Sequence, residues 1–407
     1  MTHRVLAAFM LAAVVGPARA LAATPQGQAA APPAPKAAPA PASSPAFDAA
    51  AKKAEGAKEA GRYDEAIQLY RQALKLKPAW TEGRFVLGTM LYDHDRYDEA
   101  RVEFRTLAQA DPKNGTVVAL KGLCEFRLKN YERALRELES ARSMGVANNE
   151  IMSVTSFHVA ILLNRFEQFE AAFEILRKFA QAEKDSQGVI EAFGLSVMRM
   201  PFLPDEVPAE RREMVLMAGR AGFHQAKGRS SALGRQAFEE LISRYPTAPN
   251  VHYAFGVYLL GEQPEVAIEE FKRELRSSPN HFAAMLQIAY ELLKEGRFEE
   301  AKPFAASAVE LAPGLYAARN ALGRALLETG DVEGAIQQLE AGVKLAPDSP
   351  EMRFALARAY AKAGRDEEAA KERAAFVKLG RARRAERTGQ ESVGGKESEP
   401  DPPQPPR

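Results

Sequence analysis

The chain has 407 residues, with 55 basic and 54 acidic side chains and a formal net charge of +1. So even a balance gives no general attraction for nucleic acid, and the length fits two or three ordinary domains or one long array of repeats. Cys124 is the sole cysteine, which excludes an intramolecular disulfide and leaves no thiolate set for a metal.

Residues 1–23 read as an export signal. Arg4 supplies positive charge, Val5 to Val15 is a short apolar run, and Gly16-Pro17 breaks it before two small-x-small cleavage sequences, Ala18-Arg19-Ala20 and Ala20-Leu21-Ala22. The run is too short to span a bilayer core comfortably. No cysteine follows it to carry a lipid. Export without a disulfide points to a bacterial periplasm or cell envelope. Residues 24–46 are Ala/Pro-rich and read as an extended, disordered spacer.

From residue 47 onward the pattern is helix, turn, helix. The unit Tyr316 to Ser349 shows it best. Its first predicted helix carries Leu322, Gly323 and Leu326 on one face and stops at Gly330. Its second runs from Val332 to Leu345, buries Ala335, Leu339 and Val343, and is closed by Pro347. Phe282 to Leu315 repeats these offsets with Ile288, Ala289, Leu292, Gly296, Ala301, Ala308 and Pro313. Thr81 to Asn114 does so with Leu87, Gly88, Leu91, Ala100, Phe104 and Pro112. One helix pair buries too little apolar surface to fold alone, so stacked copies are required.

Residues 47–186 hold four such units. Cys124, behind Gly122 and Leu123 in a repeat helix, is predicted to be a small packed filler. The register fails over 187–247. A helix from Gln187 to Met200 has no partner helix directly after it, and Pro201, Pro204 and Pro208 interrupt the chain. Helices over 209–227 and 230–244 follow. This break reads as a hinge, a protein contact or drift. Clean repeats resume at Ala248 and run to Leu379. Residues 380–407 are charged, Gly/Pro-rich and without apolar periodicity, and read as a disordered tail.

The 34-residue period, with blocks such as GRYDEAI at Gly61 and GRFEEAK at Gly296, resembles the tetratricopeptide repeat (TPR). The resemblance implies an all-α superhelical solenoid of antiparallel helix pairs whose first helices line a ligand-facing groove. In TPR proteins the facing positions are the second, fifth, ninth, twelfth and thirteenth. These include Phe85, Tyr92 and Phe126 in the N-terminal repeats, and Tyr290, Lys294, Asn320, Arg324, Phe354, Arg358 and Lys362 in the C-terminal ones. Aromatics offer apolar contact and arginine binds a carboxylate bidentately, so the expected ligand is an extended acidic-aromatic peptide or a C-terminal carboxylate. The carboxylate-clamp subtype, which holds chaperone tails, is not matched: Leu286, Tyr290, Ala321, Glu351 and Ala355 stand where its Lys, Asn and Arg belong.

No catalytic constellation is visible. The six histidines show no H-E-x-x-H spacing, and no G-x-S-x-G turn or P-loop occurs. The reading is a non-enzymatic scaffold without cofactor or metal, exported, whose partners are proteins or peptides and not nucleic acid. The alternative is a structural or self-assembling component of an envelope secretion, pilus or polymer-export complex, acting through its convex face.

Overall fold

The computed structural model describes residues 44–228 and 232–391. Those residues form helices and no strand. In chain order they are α1 (Pro45–Glu59), α2 (Tyr63–Leu76), α3 (Thr81–Asp93), α4 (Tyr97–Ala110), α5 (Gly115–Arg127), α6 (Tyr131–Met144), α7 (Asn149–Arg165) and α8 (Phe169–Gln181). Then come α9 (Gln187–Val197), a 3₁₀ turn (Pro204–Glu206), α10 (Ala209–Lys227) and α11 (Ala232–Arg244). The last stretch holds α12 (Val251–Leu259), α13 (Pro264–Ser277), α14 (Phe282–Lys294), α15 (Phe298–Leu311), α16 (Tyr316–Glu328), α17 (Val332–Leu345), α18 (Pro350–Lys362) and α19 (Asp366–Glu391). The chain forms two compact units. The first holds the described residues up to Leu176 with Pro201–Leu203, and the second holds Arg177–Met200 and the described residues from Pro204 onward.

Several repeats are closed by a notch. A first-helix glycine leaves room for a large side chain from the second helix. A Cβ on Gly88 would come within 2.9 Å of Phe104, one on Gly122 within 2.9 Å of Leu138, and one on Gly323 within 2.6 Å of Leu339. All three large side chains are fully buried, each contributing about 1.5–3 kcal/mol. The helices are then reversed by one left-handed residue: Gly61, Asp95, Lys129, Glu167, Gly296, Gly330 or Gly364. The next N–H reaches back to a carbonyl in the preceding turn, as in Arg96 to Leu91 and Asp331 to Leu326, 2.9 Å each. This arrangement satisfies helix-end carbonyls.

A second recurring device was not predicted. Arg84, Arg319 and Arg353 share one place in the repeat. Each donates to the carbonyl of the proline that closes the preceding repeat: Pro78 at 2.9 Å, Pro313 at 3.1 Å and Pro347 at 3.0–3.1 Å. Each also reaches the repeat's own second helix, at Glu103, Gln338 and Glu372 respectively. In α17 the core side is Ala335, Ile336, Leu339 and Gly342, while the expected Val343 is only half-buried.

Two other expectations change. The helix at 187–200 does have a partner. It ends at Val197, and α10 packs along it after the proline-containing connector. A Cβ on Gly194 would meet the Val215 carbonyl oxygen at 1.9 Å, and one on Gly219 would meet the Ile190 carbonyl oxygen at 2.0 Å. The reciprocal glycines bring the two backbones into direct contact. In the tail, α19 continues past Gly380 to Glu391, through an Ala/Arg/Glu-rich stretch of good helix formers, and Arg383 pairs with Glu351 at 3.1 Å. The expectations for residues 1–43 and 392–407, and for the helix start at 230, fall outside the described residues.

Backbone cannot yield as a side-chain tip can. Gly219→Ala is therefore expected to cost upwards of about 2 kcal/mol. Gly380→Ala, where a Cβ meets nothing within 4 Å, is expected to be neutral or stabilising by about 0.5–1 kcal/mol. Urea denaturation of the two variants checks this.

Candidate functional site

Within each unit, first helices of successive repeats touch, as α5 touches α7, and α16 touches both α14 and α18. Their shared layer is the face on which the ligand residues were predicted.

In the first unit that face is largely self-satisfied. Tyr92 is buried, its ring edge-on to Tyr97 at 5.2 Å. Phe126 is half-buried between Tyr131 at 5.7 Å and His158 at 4.6 Å, and Phe85 lies against Phe104 at 6.2 Å. His158 donates from Nδ1 to the Val154 carbonyl at 2.8 Å, and burial pushes its pKa down to about 4. Arg127 lies over the Tyr97 ring and donates to its hydroxyl at 2.6 Å. Asp93 differs from these neighbours. It is half-buried, and burial pushes its carboxyl up to about 6, with the neighbouring His94 opposing weakly. Desolvation without a compensating partner produces such a shift.

In the second unit the predicted cluster is mostly engaged. Tyr290 donates to the Ala317 carbonyl at 2.9 Å, and burial raises its hydroxyl to about 12. Lys362 donates to the Leu327 carbonyl at 2.6 Å. Lys294 pairs with Glu291 at 2.6 Å and Arg358 with Glu328 at 2.6 Å. Asn320 is 7% exposed and turned inward, its amide 3.3 Å from Met352 Sδ. That burial removes Asn320 from the ligand face. Phe354 is exposed, but its ring rests on Phe376. Arg324 is the half-buried cation of this layer that forms neither hydrogen bond nor ion pair, and its charge is felt by Tyr290.

A family model described as tetratricopeptide repeat matches residues 57–124 and 292–353, and a second of the same description matches 258–316. The chain is a tetratricopeptide-repeat protein. Solved structures similar to it include MamA, residues 41 to the end, from Desulfovibrio magneticus RS-1: 22% identity, TM-score 0.39, covering 42% of this chain and 96% of that one. MamA AMB-1 gives 19% identity and a TM-score of 0.36, covering 43% of this chain and 99% of that one. MamA MSR-1 gives 19% and 0.36, covering 42% and 98%. No curated protein sequence matches.

Among the described residues of this TPR chain, no group of three His, Cys, Asp or Glu side chains is placed to hold a metal, and no helix is long and apolar enough to cross a membrane. Cys124 is fully buried, and burial pushes its thiol up to about 12, so it lacks thiolate character. His252, which follows Pro246 by six residues as Arg84, Arg319 and Arg353 follow their prolines, is buried in a polar network. Its Nδ1 is 2.6 Å from the Glu270 carboxylate and its Nε2 is 2.9 Å from the Pro246 carbonyl. Both partners accept, so the doubly protonated ring satisfies both, and the Glu270 contact raises its pKa. Beside it Glu274 accepts from the backbone N–H groups of Asn250 at 2.8 Å and Tyr253 at 3.2 Å, and so caps α12. Asn250 is left-handed and makes no side-chain cap of its own.

Two pH dependences follow. The Asp93 carboxyl binds its proton more tightly when folded, near 6 against 3.8. Stability from this group is full below pH 3.8 and is lost as pH rises through 6. Asp93→Asn is expected to stabilise the chain at pH 7 by roughly 1–2 kcal/mol after discounting for partial exposure, with the gain vanishing toward pH 4. The Glu270 contact raises the His252 pKa above 6.5. That contribution is present below pH 6.5 and lost as pH passes the raised value. His252→Gln is expected to remove the decline in stability on the alkaline side, read by denaturant titrations at a series of pH values.

Proposed function

We propose that the chain is an exported, non-catalytic scaffold that holds an extended segment of a partner protein along the first-helix face of its second unit, with Arg324 as anchor. The observation that carries this reading is that Arg324 is half-buried and unpaired, whereas Lys294, Arg358 and Lys362 beside it are already engaged. A guanidinium kept free of internal acids is available for bidentate binding of a peptide carboxylate. Asp93 is the corresponding free charge of the first unit and suits a cationic side chain. Holding it unpaired costs stability, a pattern expected of a group retained for binding. The exported location rests on the sequence of residues 1–23 and the Ala/Pro-rich spacer after it.

The test is a cross-linking pulldown from the envelope fraction of the native host. Arg324→Glu is expected to lower partner capture at least tenfold, while Arg358→Ala, already paired with Glu328, changes it less than about threefold. Undiminished capture by a folded Arg324→Glu variant would remove Arg324 as the anchor.

A further inference from the structure

A slot recurs between repeats. In Tyr316–Ser349 the fifth and twenty-seventh residues are Asn320 and Gly342, and Met352 of the next first helix fills the space between them. Its Sδ is 3.3 Å from the Asn320 amide, and a Cβ on Gly342 would lie 2.3 Å from its Cε. In Thr81–Asn114 the same places hold Phe85 and Leu107, with Val117 of the next helix in one core with them. In Phe282–Leu315 they hold Leu286 and Ala308, and Ala318 of the next helix is fully buried.

In the last repeat the equivalent residues are Phe354 and Phe376. Their rings are 5.5 Å apart and they remain 51% and 36% exposed. Val377 beside them is 46% exposed, and Gly380, one turn on, has open space at its Cβ. Residues 392–407 include a single large aliphatic, Val393, and carry no apolar stripe of their own. The rim is basic. Arg373 and Arg381 are exposed on α19 and join no ion pair, while Glu372 is buried against Arg353 at 2.8 Å and Glu351, one turn before Phe354, is paired with Arg383 at 3.1 Å. At helical spacing, Arg373 and Arg381 lie one turn before and one turn after Val377.

We propose that this face docks a helix of a partner protein, with an apolar stripe for the Phe354–Phe376 slot and acidic residues along its flanks. The shape argument is that the equivalent slot of each internal repeat described above takes a helix. The charge argument selects an acidic one and disfavours a second copy of this face, which would set Arg373 and Arg381 against like charges. Phe354 also belongs to the first-helix face, but Phe376, Arg373 and Arg381 lie on α19, so α19 variants and Arg324 variants let either assignment fail alone.

The probe is a fluorescent synthetic amphipathic helix of about 18 residues, some five turns, with leucines on one face and glutamates flanking them. It is titrated into the full chain by anisotropy beside its Glu→Lys counterpart. The acidic helix is expected to bind, and the Lys form at least tenfold more weakly. A Phe354→Ser/Phe376→Ser variant and, separately, an Arg373→Glu/Arg381→Glu variant are each expected to weaken binding at least tenfold while keeping the wild-type circular dichroism. Raising salt to 0.5 M should weaken binding too. The proposal is overturned if the acidic helix fails to bind, or binds the Phe variant as well as wild type. It is equally overturned if the Phe pair is instead required for binding phosphatidylglycerol vesicles, or for a concentration-dependent mass in sedimentation.

Discussion

The seating of one large second-helix side chain in a first-helix notch sets the rest of the geometry. Phe104 against Gly88, Leu138 against Gly122 and Leu339 against Gly323 are each separated by the same length of chain. That separation leaves room for one kind of reversal, and each of these repeats makes it with a left-handed residue at the same place. The repeat built on Gly256 and Phe271 illustrates the dependence. Its separation is one residue shorter, and none of the residues joining α12 to α13 is left-handed. With the pair fixed, the arginine at Arg84, Arg319 or Arg353 joins it to the preceding repeat through a proline carbonyl that no helix N–H can reach.

The mid-chain section shows the same chain solving the packing problem without the standard turn. α9 and α10 meet backbone to backbone through Gly194 and Gly219, so the small residues sit on both helices and no large side chain intervenes. Such an interface does not depend on loop length. A connector containing Pro201, Pro204 and Pro208 can therefore replace the usual turn without losing the pair. The prolines that stop one helix thus leave the second free to return against it.

Most of the architecture was legible because the 34-residue spacing repeats apolar and small residues whose roles are local: the notch, the turn and the closing proline. The reading failed where the partner lay outside the expected window, as with α10 for α9. It also began one repeat at Ala248, which puts Phe255 in the eighth place that Gly256 serves one residue later. The ligand face was much less legible. A repeat position tells which way a side chain points and not what the next repeat offers it. Tyr290 meets the Ala317 carbonyl, Lys362 the Leu327 carbonyl and Asn320 the Met352 sulfur, each about one repeat distant in sequence. Arg324 and Asp93 stand out only once those engagements are known, and the unfilled Phe354–Phe376 slot only by comparison with filled ones.

The cap on α12 has a consequence for how the chain orders itself. Some helices carry their N-terminal acceptor beside them in sequence: Asn114 serves α5, Asn148 serves α7, Asp331 serves α17 and Ser349 serves α18. α12 has none, and its first N–H groups are met by the carboxylate of Glu274 near the far end of α13. It is also the shortest of the described α-helices, too short to be stable alone. Its first turn can persist only while α13 is docked, so these two helices should gain and lose structure as one cooperative block. In an array whose contacts are otherwise between neighbours, that block is where partial unfolding spreading from either end of the second unit would be expected to pause.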